Sequence, residues 1–297
     1  MALKKIPFAK RIRYLLEYAI SWLFFKLLSA LPLKISAKFA AQLSLFIGPK
    51  LSVNKLAKNN LSSAMPNLKQ GKIDQIIKDM WCNLGMIVGE FPHIGKIDPK
   101  NIGKYIKFSK ESLKNLEQIK KLNQGGIIFS GHIGNWEIGP KSLISQGLKV
   151  KTLYRPLNNP YVEDLTAKAS RVELIKKDSS GSREIINSVK NGEYVIILAD
   201  QKTTEGIPVK FFHKEATTTT SIARIAQKYN IPIIPARVIR LNKEFKFEIE
   251  VGKPIKITEN AKNFDVIKYN AIINQTIEKW IKEYPEQWFW VHDRWKV

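Results

Sequence analysis

From about residue 105 the chain alternates between two local patterns, and this alternation limits the fold more than any other feature of its 297 residues. Short β-branched runs appear as GGIIFSG (125–131), LKVKTLYR (148–155), YVIILAD (194–200), IPIIPARVI (231–239) and FKFEIEV (245–251). Between them lie the helix-like segments NPYVEDLTAKASRV (159–172), GSREIINSVKNG (181–192) and TTSIARIAQKYN (219–230). Strands that alternate with helices pack as a largely parallel sheet whose faces the helices cover. The expected fold class is therefore α/β, with a mixed, largely parallel sheet flanked by helices. In such sheets ligands bind beyond the carboxyl ends of the strands. GGIIFSG followed by His132, and YVIILA followed by Asp200 and Gln201, both deliver polar groups to that edge.

The first third reads differently. SAKFAAQLSLFIG (36–48) and KIDQIIKDMWCNLGMIVGEF (72–91) carry apolar residues at three- and four-residue spacing, which predicts helices over about 37–104. No repeat, low-complexity tract or Pro/Gly linker divides the chain, so residues 37–297 are expected to form a single α/β domain. Residues 1–36 place Lys4, Lys5, Lys10, Arg11 and Arg13 ahead of an apolar segment from Tyr14 to Leu33. A cleaved signal peptide fits poorly, because the apolar part is long and carries Glu17 and Lys26. The expectation is a membrane anchor, either spanning or interfacial, with the remainder facing water.

Forty-nine Lys and Arg against twenty-six Asp and Glu give a net charge of +23, which points to an anionic partner. Nucleic acid is disfavoured: there is no zinc-ligand spacing, basic heptad region or RNA-binding aromatic motif. The single cysteine, Cys82, excludes an intramolecular disulfide and a cysteine-based zinc cluster, and its apolar helical setting suits an inert buried thiol. No metal or cofactor is expected.

The stretch IIFSGHIGNWE (127–137) carries the chemistry. On one regular helix His132 and Glu137 would point ~140° apart, five steps of ~100°. They can meet only if His132 lies in the turn before a helix and Glu137 in its first turn. Gly131, Gly134 and the potential N-cap Asn135 favour such a break. A carboxylate on Nδ1–H would fix the imidazole tautomer and leave Nε2 to take a proton. The alternative is a loop histidine near a glutamate by chance.

HIGNWE resembles the HX4(D/E) block of glycerolipid-type acyltransferases, in the form found in the late (lauroyl and myristoyl) acyltransferases of lipid A biosynthesis. The resemblance continues through YRPLNNP (154–160), Arg171, GSREIINSVKNGEYVIILADQ (181–201), GIPVKFF (206–212), IIPARVIR (233–240) and YPEQWFWVHDRWK (284–296), and so spans most of the chain. It implies transfer of an acyl chain from acyl carrier protein to a hydroxyacyl group of a Kdo-bearing, phosphorylated lipid A precursor. His132 would be the base and Glu137 its orienting partner; the oxyanion donors are not identified by the sequence, and the backbone N–H groups of Gly134 to Trp136 are candidates. It also implies an anionic bacterial inner membrane as the working surface, with the catalytic domain facing the cytoplasm.

Around this pair, Asn135, Arg155, Asn159, Arg171, Asp200 and Gln201 are candidates for substrate binding or support. Asp200 ends a very apolar run and needs a partner, for which Arg171 is the expectation. The threonines of ATTTTSIARIA (216–226) supply one helix cap and further hydroxyls for a ligand. His213 and His292 lack a carboxylate at the His132–Glu137 spacing and read as structural. Trp280, Trp288, Trp290 and Trp295 read mainly as core. His213 stands where the family has a small glycine, and Asp293 where it has a second basic residue. Two competing readings remain open: an acyltransferase of another lipid, such as a lysophospholipid or glycosylated phosphoinositide, and a non-catalytic basic protein docking on membrane or nucleic acid.

Overall fold

The computed structural model describes residues 7–170, 172–178, 180–257, 259 and 262–295. Four helices come first: α1 (Phe8–Ala30), α2 (Leu33–Ile47), α3 (Ser52–Ala64) and α4 (Gln70–Ile94). Then follow β1 (Ile106–Phe108), α5 (Lys110–Lys121), β2 (Gly126–Ser130), α6 (Gly139–Ser145), β3 (Val150–Tyr154) and α7 (Pro160–Ser170). Next are β4 (Leu174–Lys176), α8 (Gly181–Lys190), β5 (Tyr194–Leu198) and the hairpin of β6 (Ile207–Phe211) and β7 (Lys214–Thr218). The chain closes with α9 (Ser221–Tyr229), β8 (Ile233–Arg240), β9 (Phe247–Val251), α10 (Val266–Glu283) and a terminal strap that starts in a 3-10 turn, Pro285–Gln287.

Among the described residues, seven strands form one sheet in the order β1-β9-β8-β2-β5-β3-β4. Every neighbouring pair is parallel except β8 and β9. The strands form where β-branched runs can be covered on both faces, which is why they read as continuous apolar stretches. Ile127, Ile128 and Phe129 of β2 are almost fully buried, each burial stabilising the fold by about 1.5–3 kcal/mol. One face packs against α3, α4, α9, α10 and the strap, the other against α5 and α6. From β2 the chain runs to β3, β4 and β5 on one side and later to β8 on the other. This reversal opens a crevice at the carboxyl ends of β2 and β5.

The first third is helical, as its spacing predicts. Helices α2 and α4 approach closely through small residues: a Cβ on Gly85 would fall 2.5 Å from Ala40 O, and one on Gly89 2.5 Å from Ser36 O. Ser36 Oγ donates to Gly89 O at 2.6 Å. Helix α1 lies across this layer, and His93 of α4 and Lys96 just beyond it hold its last turn at Leu28 O and Ser29. It leaves Phe8, Ile12, Leu16, Ile20, Leu23 and Leu27 exposed at roughly one-turn intervals. Among the described residues, no helix is long and apolar enough to cross a membrane. Lys4 and Lys5 lie outside the described residues.

Candidate active site

Residues Ser130 and Leu198 pair at the ends of β2 and β5, and two residues beyond each come His132 and Asp200. The parallel register therefore sets these two side by side at the sheet's carboxyl edge. Asp200 Oδ1 meets His132 Nδ1 at 2.8 Å, and its Oδ2 accepts the His132 backbone N–H at 2.8 Å. Trp288 of the terminal strap donates its indole N–H to the same Oδ2 at 2.7 Å. Gly131 permits the approach, since a Cβ there would lie 3.3 Å from Oδ2. Burial alone would raise the Asp200 carboxyl. The adjacent His132 and the three hydrogen bonds overcome that effect and hold it at about 2. A carboxylate held in this way keeps the proton of a neutral imidazole on Nδ1 and stabilises the imidazolium.

The His132 side chain keeps 17% of its surface exposed and lies beside the rings of Phe289 and of Trp136, the latter lining the crevice. The Gln201 amide nitrogen lies 3.4 Å from Nε2. Nε2 is thus the proton-accepting atom presented to a ligand.

The turn after His132 forms as its glycines and asparagine suggest. Gly134 is in the left-handed region (φ 63°), and a Cβ there would collide with Val238 O at 2.2 Å. Asn135 caps the 3-10 turn Trp136–Ile138, its Oδ1 accepting the Glu137 N–H at 3.1 Å. Glu137 stands in the first turn, near enough for its charge to act on His132, but the carboxylate bound to the ring is Asp200. Burial pushes the Glu137 carboxyl above its usual range despite a hydrogen bond from its neighbour Trp136 Nε1 at 3.1 Å.

The expected roles of the two carboxylates therefore need correction. Local spacing draws Glu137 to the imidazole, whereas strand register brings Asp200 there from 68 residues away. Asp200 spends both oxygens on His132 and Trp288, and its expected partner Arg171 lies outside the described residues. Arg155 is exposed at the end of β3. Asn159 is buried away from the crevice. Its Nδ2 holds Tyr14 O and Glu17 Oε2 of α1, both at 2.9 Å, while its Oδ1 accepts the Tyr161 N–H at the start of α7.

The threonines before α9 serve the fold. Thr217 O and Thr218 Oγ1 accept from Arg294 at 2.6 and 2.9 Å, and Thr220 at the helix start makes no side-chain cap. Arg294 is fully buried, and desolvation draws its guanidinium down to about 10. His213 is exposed in the β6–β7 turn. His292 lies nearer the centre than its sequence setting suggests, since Asp200 and His132 both act on it electrostatically while burial lowers its imidazole. Trp288 and Trp290 are core residues. Cys82 is only partly buried, and desolvation raises its thiol.

Sequence reasoning missed Trp288 as the indole donor to Asp200, and it missed Glu90, which accepts Asn135 Nδ2 at 2.7 Å. The signal for Glu90 is a lone acid within the apolar run MIVGEF (86–91).

A family model described as "Bacterial lipid A biosynthesis acyltransferase" matches residues 5–297. A lipid A biosynthesis acyltransferase of Haemophilus influenzae is 24% identical over 286 residues, 93% of this chain and 87% of that protein. The lipid A biosynthesis palmitoleoyltransferase of Escherichia coli K12 is 25% identical over 253 residues, 82% and 78% of the two chains. The lauroyltransferase of the same organism is 22% identical over 258 residues, 82% and 79%.

Proposed function

Because this chain belongs to the bacterial lipid A biosynthesis acyltransferase family, we propose that it moves a fatty acyl chain from an acyl carrier protein thioester to a hydroxyacyl group of a Kdo-bearing lipid A precursor. The observation that carries the mechanism is His132, part-exposed and fixed at Nδ1 by Asp200, which leaves Nε2 to take a proton. The acceptor hydroxyl loses its proton to Nε2 as its oxygen attacks the thioester carbonyl. Asp200 stabilises the imidazolium, and the charge of Glu137 adds to this through space. The tetrahedral intermediate collapses with cleavage of the carbon–sulfur bond, and the imidazolium returns its proton to the leaving thiolate. A general base of this kind contributes roughly 10²–10⁴ in rate.

The developing oxyanion needs donors. Gly134 N–H is spent on Gln287 O, Glu137 N–H on Asn135 Oδ1 and Ile138 N–H on Asn135 O. Of the proposed donors, the N–H of half-buried Trp136 remains for the substrate, since Asn135 is fully buried. Gln201, beside Nε2, and Arg155, exposed just past the end of β3, are assigned to the acceptor's polar and anionic groups. Arg171 is assigned the same role from its motif position.

The surface suits a lipid acceptor. The exposed apolar residues of α1 lie on the same helix as exposed Lys10, Arg11 and Arg13. A helix with that pairing lies in the headgroup layer. The protein then works at the cytoplasmic face of the inner membrane, where +23 of charge attracts both anionic lipid and an acidic carrier protein.

The test is incubation of purified protein in detergent with defined acyl carrier protein thioesters and tetra- or penta-acylated acceptor, with product masses read. A gain of one acyl chain, lost in His132→Ala while acceptor binding persists, is expected. Transfer to lysophospholipid alone would replace the acceptor assignment, and binding without any transfer would favour the docking reading.

A further inference from the structure

Glu90 is completely buried in α4, where an uncompensated carboxylate would be far too costly to ionise. Arg240, the last residue of β8 and also buried, grips it with two bonds, Nη1 to Oε1 at 2.5 Å and Nη2 to Oε2 at 2.8 Å. Burial raises the Glu90 carboxyl while Arg240 and Asn135 pull it back down. Such a pair rarely stabilises a fold beyond what apolar residues of equal volume would give. Its place in the hydrogen-bond network supplies a different use.

Arg240 Nη1 also donates to Glu244 O at 3.1 Å, but three arms of the network end on Gly134 or Asn135. Glu90 Oε2 receives Asn135 Nδ2 at 2.7 Å. Arg240 Nε donates to Asn83 Oδ1 at 2.7 Å, and Asn83 Nδ2 donates onward to Gly134 O at 3.1 Å. The Arg240 backbone exchanges two bonds with the side chain of Gln287, and the Gln287 backbone carbonyl takes the Gly134 N–H at 3.1 Å. An amide side chain has two faces that differ only in which end donates. Glu90 can only accept from Asn135 when ionised, so it obliges Asn135 to point nitrogen inward and oxygen toward the Glu137 N–H. Without it the amide could turn over, set its NH₂ against that N–H and release the turn.

We propose that Glu90, clamped by Arg240, is a positioning residue for the acyl-transfer site: it fixes the sense of the Asn135 amide and thereby the turn that carries Trp136 and Glu137 beside His132. Glu90 touches no substrate in this scheme. Displacements of about 1 Å in such a turn cost on the order of 10² in rate. The rate readout rests on the acyl-transfer reading, so a second readout that needs no substrate accompanies it.

The experiment compares Glu90→Gln, Asn135→Asp and the double variant Glu90→Gln/Asn135→Asp. In Asn135→Asp two carboxylates face each other. In the double variant the bond to the turn is reversed: the new amide on α4 donates and gives up the Arg240 Nη2 bond that Oε2 accepted, while the new carboxylate in the turn still accepts the Glu137 N–H. Each single variant should lose at least about tenfold in kcat with KM changed less than about threefold, and the double should regain part of that loss. Hydrogen exchange of residues 132–139 should rise about tenfold in the singles and return in the double, while exchange in α10 stays put. Wild-type kcat and wild-type local exchange in both singles would overturn the proposal. So would a double variant that recovers melting temperature but neither rate nor local exchange, because the pair would then serve the fold alone. If Glu90→Gln does not fold, Arg240→Lys decides the point: it keeps the charge and loses the fork, and unchanged rate and exchange would overturn the clamp. A wild-type protein that transfers no acyl chain would refute the acyl-transfer reading, leaving local exchange to decide the clamp.

Discussion

Two carboxylates flank the same imidazole, one at the end of β5 and one in the turn after β2, and their surroundings drive them in opposite directions. Asp200 is buried and accepts three hydrogen bonds, so its carboxyl is held at about 2. Glu137 accepts one side-chain bond, from Trp136, and burial pushes its carboxyl up. A fully satisfied carboxylate is a fixed anion that orients its partner. One that burial raises is held at a cost in stability and is kept near the ligand by its position. The contrast teaches that the residue in the recognisable motif need not be the one that grips the base.

The largest expected effect tests that division directly. Asp200→Asn should lower kcat by about 10²–10⁴, because an amide can present its NH₂ to Nδ1 and stabilise the wrong tautomer. Glu137→Gln should cost less, on the order of 10–10², since it removes a through-space charge and leaves the Asp200 contact intact. A steady-state comparison of the two variants on one thioester checks the order, and equal losses would break the distinction.

Stability against pH should separate the two further, and with opposite signs. The lowered Asp200 carboxyl contributes about 2 kcal/mol, present above its unfolded value of 3.8 and lost as pH falls toward about 2. Asp200→Asn should therefore melt several degrees lower at pH 7, with the difference closing below pH 4. The raised Glu137 carboxyl carries a penalty while ionised, which is relieved as pH falls toward its unfolded value of 4.5. Glu137→Gln should melt higher than wild type at pH 7 and equal to it under acid conditions. Thermal scans from pH 7 to 2 give both results. The smallest effect belongs to the indole that supports Asp200. Trp288→Phe keeps the ring packing and loses one 2.7 Å donor, so kcat should fall about three- to tenfold with KM unchanged.

How far the sequence exposes all this depends on how local each cause is. The Asn135 cap and the positive φ at Gly134 are set by neighbours and could be read from GHIGNWE. So could the helical first third and the strand-like runs. Gly131 was also legible as special, but for a different reason: it makes room for Asp200 rather than bending the chain. The His132–Asp200 bond is not local. Both residues are visible as polar ends of apolar runs, yet only the parallel register of β2 with β5 makes them neighbours, and periodicity cannot order strands. Trp288 and Gln287 reach the site through a strap whose composition suggests only core packing. Glu90 was the readable omission, since a lone acid in an apolar helix face requires a partner. Asn159 errs the other way. Its YRPLNNP setting suggests a substrate contact, but its amide is spent holding α1 to α7.

The most direct test of the account is the tautomer of His132. Nitrogen-15 spectra of protein labelled at histidine, with His132→Gln used to assign the signal, report which ring nitrogen carries the proton in the neutral imidazole. The expected result is Nδ1–H with a bare Nε2, and loss of that preference in Asp200→Asn but not in Glu137→Gln. A proton on Nε2 in the wild-type protein, or a preference that Glu137→Gln abolishes and Asp200→Asn leaves intact, would contradict it.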